Sequence, residues 1–197
     1  MLHGIDVSAH RSPAHEVESL FVERWSPRGM SGERLAPGQL DRLFEAARWA
    51  PSSYNEQPWR FIYAQQGDDA WPAFFDLLVE GNQSWCERAA VLMVVLSRHI
   101  ADRNGEPFPS HAFDAGAAWQ NLALQGARMN LVVHAMIGFD RDRARDVIKA
   151  PDNYTVQAMV AIGQPGGLDQ LSESQRGREV PSDRHTVETI ALKGSFA

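Results

Sequence analysis

Residues 111–129 place Ala112, Ala115, Gly116, Ala117, Ala118, Ala123, Gly126 and Ala127 in one stretch with helical spacing. A helix with small residues on several faces lets neighbours approach closely all round. This one is therefore expected at the centre of the structure or of a dimer. The chain has 197 residues, 44% of them hydrophobic, which is enough apolar matter to surround such a helix with a core, so residues 1–197 are expected to form a single domain.

The flanking pattern is mixed. Ser12 as N-cap and Pro13 at the first helical position signal an early helix, with Val17, Leu20 and Phe21 on one face. A second helix opens at Pro37 and carries Leu40, Leu43, Phe44, Ala47 and Ala50 until Pro51 stops it. Short strands rich in β-branched and aromatic residues are expected at 59–64, 91–97, 131–136 and 156–162. Helices are expected at 72–80 and at 141–149, the latter capped by Asp140. Residues 165–184 read as a loop, with a short apolar segment after it at 187–192. The predicted fold class is α+β.

Several functions are disfavoured. Nineteen Lys and Arg against 25 Asp and Glu give a net charge of −6, so the surface repels nucleic acid and anionic membranes, and an anionic ligand needs locally placed arginines. The apolar run at 89–96 is too short to span a bilayer, and the first twenty residues have no stretch of signal-peptide character. With a single cysteine, Cys86, these features predict a cytoplasmic protein without an internal disulfide or a metal site. No glycine-rich dinucleotide loop, P-loop, zinc-protease helix or nucleophile elbow occurs. The histidines are scattered, and His134 in an apolar strand reads as a hydrogen-bonded core residue.

Two segments suggest a ligand. Arg24, Trp25, Ser26, Pro27 and Arg28 put two guanidinium groups and a hydroxyl just beyond a helix, suited to a multidentate grip on phosphate; exposed arginines around a turn would give the same string. Between Pro51 and Pro58, Ser52, Ser53, Asn55 and Gln57 gather uncharged hydrogen-bonding groups of the kind a flavin's pyrimidine edge requires, although Ser52 and Ser53 could equally bond their own turn.

With these segments in view, the chain resembles the nitroreductase family of FMN-dependent enzymes, in the subgroup reading R-W-S-P-R near the start. The likeness runs through Arg24–Arg28, residues 40–61 with Ala47-Arg48-Trp49-Ala50-Pro51-Ser52-Ser53-Tyr54-Asn55-Glu56-Gln57-Pro58-Trp59-Arg60-Phe61, Asn82–Trp85, Asn121-Leu122, Gly138-Phe139-Asp140 and Ile162-Gly163. The resemblance implies an α+β nitroreductase-like fold, with a central mixed or antiparallel sheet flanked by helices, in a homodimer. It implies that Arg24 and Ser26, beside Trp25, hold the FMN phosphate, with Arg28 near the pyrimidine end. Pro51, Ser52, Ser53, Asn55 and Gln57 then meet the flavin across the dimer interface, while Met136, Ile137 and Gly138 lie against the ring. Arg184 returns to the phosphate. Ser182 stands where the family often has a further basic residue, which points to Arg176 or Arg178 as substitutes, and the tail after Arg184 departs from the family's usual wording.

The implied activity is reduction of nitroaromatics, quinones or similar electron-poor small molecules with NADH or NADPH in a ping-pong hydride-transfer cycle. The chemistry resides on FMN, so no side chain is expected to be catalytic; the backbone of Ile137 and Gly138 is expected near the reacting ring. Trp85 and Phe108 are candidates to shape the acceptor pocket, with core packing as the alternative. A flavin-binding or sensory protein without nicotinamide turnover remains open, as does a same-fold enzyme for dehalogenation, enone reduction or flavin breakdown.

Overall fold

Strand β2 (Val91–Arg98) is buried at every position, and the other elements are arranged around it. In the computed structural model, which describes residues 4–196, β2 pairs with β1 (Trp59–Gln65) on one side and β4 (Tyr154–Gly163) on the other. β3 (Val132–Met136) pairs with β4, giving the order β1-β2-β4-β3 with every pairing antiparallel. Of the two sheet types anticipated, the antiparallel one is present.

Alternation along β2 sends Leu92, Val94 and Leu96 to one core and Val91, Met93 and Val95 to the other. The second core is roofed by α2 (Gln39–Arg48), through Leu43 and Ala47, and by α5 (His111–Arg128), through Ala115, Ala118 and Leu122. The first is covered by Phe74 of α3 (Trp71–Phe75), Trp85 and Cys86 of α4 (Glu80–Cys86), Ala144 of α6 (Arg141–Val147), and Trp25 and Met30 of the extended segment beyond α1 (Ser19–Glu23). One irregularity keeps the faces in phase. Val95 pairs with Ala158 and Leu96 with Val156, so Gln157 is an extra residue in β4, and its amide donates to Ser97 Oγ at 2.7 Å.

The small residues of α5 do what their pattern predicts on its inner side. At Gly126 any Cβ would run into the side chain of Val133, so the glycine sets how closely helix and sheet approach. Near its start the outer side is uncovered, since a Cβ on Gly116 would meet nothing and Phe113 is 82% exposed.

Three expected elements differ. The early helix begins at Ser19 rather than Pro13, because Val17 and Phe21 stay exposed and an unburied apolar stripe cannot support the preceding turns. The helix expected at 72–80 is two, α3 and α4, because the backbone between them pairs with the chain after β3: Asp140 N donates to Leu77 O at 2.8 Å and Val79 N to Gly138 O at 3.1 Å. Within the expected loop at 165–184, α7 (Glu173–Arg176) forms on a reciprocal cap between Ser172 and Gln175, and the apolar segment beyond becomes α8 (Val187–Ile190).

Candidate functional site

Beyond α1 the chain runs extended through Arg24 to Met30 and is tied to the end of β4: Gly166 N donates to Gly29 O and Ser31 N to Gln164 O. This brings Arg24, Trp25, Ser26 and Arg28 to the wall of a cavity of about 330 Å³, which Arg11, His134, Arg178, Ser182 and Arg184 also line. Arg24 Nη1 donates to Ser26 Oγ at 3.2 Å, pairing the two predicted phosphate ligands. Among the described residues, no carboxylate lines the cavity. Burial, and then the charge of Arg184, push the Arg24 guanidinium below its ordinary pKa; Arg11 is shifted the same way by burial, Arg184 and Arg24. The cations crowd one another and the cavity is positively charged, which is the condition for binding an anion.

Arg28 differs from the others. Glu179, 1% exposed, accepts from the backbone N–H of Arg28, from Gly29 N at 3.0 Å and from Arg28 Nη1 at 3.2 Å. The Arg28 charge is thus met from within the chain. Opposite it, His134 of β3 shares its Nδ1 proton with Pro27 O at 2.9 Å and lies against the ring of Trp85. The hydrogen-bonded histidine expected from its apolar strand is present, and it also walls the cavity. Of the two proposed substitutes for a basic residue at 182, Arg178 lines the cavity and Arg176 does not.

β3 leads from this cavity to Met136, Ile137 and Gly138. Residues 134 to 137 advance about 10 Å at strand rise. Ile137 is 78% exposed and forms a ledge. Gly138 O accepts from Val79 N and from Asn82 Nδ2, the latter at 2.8 Å, and a Cβ on Gly138 would come within 2.6 Å of that amide. Glycine is needed there for Asn82 to brace the turn after β3.

The loop before β1 lies elsewhere. Tyr54, Asn55 and Gln57 line an open depression of about 530 Å³ with Glu56, Arg60, Asp102 and Arg103, and it shares no lining residue with the arginine cavity. Tyr54, Asn55 and Gln57 have φ of 52°, 57° and 46°, in the left-handed region. Ser52 Oγ accepts from Gln57 N at 3.0 Å, so this serine bonds its own turn, as one reading of the sequence allowed. Ser53 N is held by Asp114 of α5 at 3.2 Å. Glu56 accepts from Arg98 Nη2 at 3.1 Å, from Asp102 N at 2.9 Å and from Arg103 N at 3.3 Å, with Glu56 and Arg98 side chains both buried. Asp102 is also paired with Arg98, and Arg103 lies over the Tyr54 ring at 4.1 Å.

Trp85 and Phe108 are 5% and 4% exposed. Trp85 packs in the first core with Nε1 donating to Asn82 Oδ1, and Phe108 N bonds His99 O; within the single chain both take the packing alternative. Sequence reasoning missed Arg11, Glu179 and the Glu56–Arg98 pair. Arg11, Arg98 and Glu179 lie in no recognisable string, and Glu56, though inside the loop between Pro51 and Pro58, gains its role only from the tertiary path that brings Arg98 to it.

Comparison with known proteins gives a consistent setting for this geometry. The sequence model of the nitroreductase family matches residues 22–164. A crystal structure of an FMN-containing oxidoreductase superposes with a TM-score of 0.90 at 40% identity, covering 95% of this chain and 96% of its own. An NADH dehydrogenase of Thermus thermophilus is 26% identical over 214 residues, spanning 91% of this chain and 97% of the relative. A nitroreductase family protein from Streptococcus pneumoniae, 17% identical, has the same fold at a TM-score of 0.70 over 89% of this chain and 98% of its own.

Proposed function

The chain belongs to the nitroreductase family, and on that premise we propose that it binds FMN and uses NADH or NADPH to reduce nitroaromatics, quinones or similar electron-poor acceptors, the two substrates using one site in turn. The observation that supports this best is the arginine-lined cavity without a carboxylate on its wall, with its cations pressed together. Its donor set fits a terminal phosphate, and β3 runs from it to the exposed ledge at Ile137–Gly138, a spacing that suits a ligand with a phosphate at one end and a flat ring at the other. When bound, FMN would supply the redox chemistry between nicotinamide and acceptor.

The chain's own groups bind, orient and shape. Arg24, Ser26 and Arg184 would hold the phosphate through charge-assisted hydrogen bonds. Arg28, fixed by Glu179, would meet the polar edge of the ring, and the backbone at Ile137 and Gly138, braced by Asn82, would support its reacting side. No side-chain nucleophile is required.

We further propose a homodimer in which the loop at 51–57 of one copy meets the flavin held by the other. Two features support it: within one chain that loop shares no lining residue with the arginine cavity, and Trp49, Tyr54, Phe113 and Ile137 are exposed apolar side chains that a second copy would cover. A cytoplasmic setting suits the single, buried Cys86; among the described residues no helix is long and apolar enough to cross a membrane.

The test is the visible spectrum of protein purified without added flavin, with identification of whatever is released on denaturation. Stoichiometric FMN is expected, and Arg24→Ala should weaken its binding about ten- to a hundredfold. A colourless protein that takes up no FMN would overturn the reading, and a flavin-loaded monomer in sedimentation would overturn the dimer.

A further inference from the structure

Arg11 comes from an N-terminal segment that no motif marks, yet the residue is only 9% exposed. Nε donates to Ser182 O at 2.8 Å, and Nη1 donates to Val22 O and, at 2.9 Å, to Arg24 O. Every one of these partners is a neutral carbonyl. Arg184 Nη1 donates to the same Ser182 O at 3.0 Å, so two guanidinium groups converge on one oxygen. A cation withdrawn from water without a counter-charge is costly, and the exposed guanidinium of Arg184 on the same neutral acceptor adds repulsion to it. The carboxylate near enough to act on Arg11 is Asp183, whose influence is smaller than that of either Arg184 or Arg24. Nη2 of Arg11 donates to no group among the described residues, and Arg11 is part of the cavity wall.

We propose that Arg11 is a phosphate-binding residue of this cavity, completing with Arg24 and Arg184 a cradle of three guanidinium groups. Ser182, on the same wall, brings no charge, Arg28 is already met by Glu179, and Arg178 is exposed with Nε donating to Ser174 O, so Arg11 is the buried cation best placed to complete the cradle. A phosphate monoester has about −1.5 to −2 charges at neutral pH, which two arginines match, and a third guanidinium adds further charge-assisted donors and keeps the site net positive. A phosphate seated there also relieves the repulsion across Ser182 and fastens the segment at 182–184 to the N-terminal arm. The inference rests on the FMN reading for which molecule bears the phosphate, but not for the phosphate itself.

The test compares binding of FMN and of riboflavin, which lacks the phosphate, to the wild-type protein, to Arg11→Gln and to the double variant Arg11→Gln/Ser182→Lys. Arg11→Gln is expected to weaken FMN about tenfold or more and to leave riboflavin unchanged. The double variant restores a cation to the same wall without restoring the three carbonyl bonds, and it should regain most of the FMN preference. Equal weakening of both flavins, or no weakening of either, would overturn the proposal and leave Arg11 as a structural staple, as would a double variant no better than the single one.

Inorganic phosphate separates this inference from the flavin reading. A protein that binds no flavin but whose Tm rises with phosphate, with the rise lost in Arg11→Gln and regained in the double variant, would sink the FMN reading and keep this one. An equal rise in all three, or none in the wild type, would sink this one. Should Arg11→Gln not fold, Arg11→Lys keeps the charge without the fork: a reduced preference for FMN over riboflavin supports the cradle, and an unchanged preference counts against it.

Discussion

The indole of Trp85 and the imidazole of His134 lie 4.6 Å apart, centroid to centroid, with their planes at 42°. Burial against that ring pushes His134 below the ordinary histidine pKa, partly offset by the Pro27 carbonyl; the charge of Arg28 pushes the same way as burial and that of Glu179 the opposite way. His111, hydrogen-bonded to Ser97 Oγ and facing His99, is also shifted down by burial. For such a group the unfolded chain takes up a proton first. The stability is fully present above the unfolded value of about 6.5 and is lost as pH falls from there toward the folded value. The urea midpoint should drop between about pH 7.5 and about pH 5.5. His134→Asn should flatten that slope, and an unchanged slope would remove His134 from the effect.

Glu56→Gln should destabilise the fold by about 3 kcal/mol, because it leaves the Arg98 guanidinium buried without its buried carboxylate. Asp102, well exposed, offers only a partial substitute. Hydrogen exchange should speed up at the amides of Asp102 and Arg103, because the glutamine keeps only one of the two oxygens that accept from them, and that one uncharged. Protection unchanged at both would mean that the 98–110 loop is fastened by something other than Glu56.

Gly126→Ala gains helix propensity but drives a methyl group into Val133, so the expected net effect is a loss of about 1–3 kcal/mol. Pairing it with Val133→Ala should recover part of the loss. Denaturant unfolding of the three variants decides it, and a stabilised Gly126→Ala would show that α5 can lift from β3 at no cost.

Cys86 is fully buried with Sγ 3.9 Å from Met136 Sδ, and burial pushes its thiol far above the usual range. Thiol reagents at neutral pH should leave the native protein unmodified and label it stoichiometrically once it is unfolded. Rapid labelling of the native state would show that the first core opens near α4.

The four strands were legible in the sequence because β-branched runs bounded by turn residues depend on local chemistry, and β2, covered on both faces, reads as the unbroken apolar run such a strand requires. The break between α3 and α4 was not legible. It exists because residues 77–79 pair with 138–140, about sixty positions away, and no local propensity encodes that. The site divides the same way. Arg24, Ser26 and Arg28 stand in a short string whose chemistry is visible at once, and the cavity contains all three. Arg11 and Glu179 act through partners 171 and 151 positions away, Ser182 and Arg28 respectively. An isolated arginine before a Ser-Pro pair and an acid in a charged tail look like solvated surface until the chain is folded.

Left-handed backbone at Tyr54, Asn55 and Gln57 costs of order 1 kcal/mol or more per residue, and Glu56 between them, anchored on Arg98, keeps the loop in that shape. The conformational search that a flexible loop would make on meeting a ligand is therefore over when the chain has folded. In the proposed dimer such a loop would behave as a rigid die, meeting the second copy in one shape and favouring fast, selective docking over adaptability.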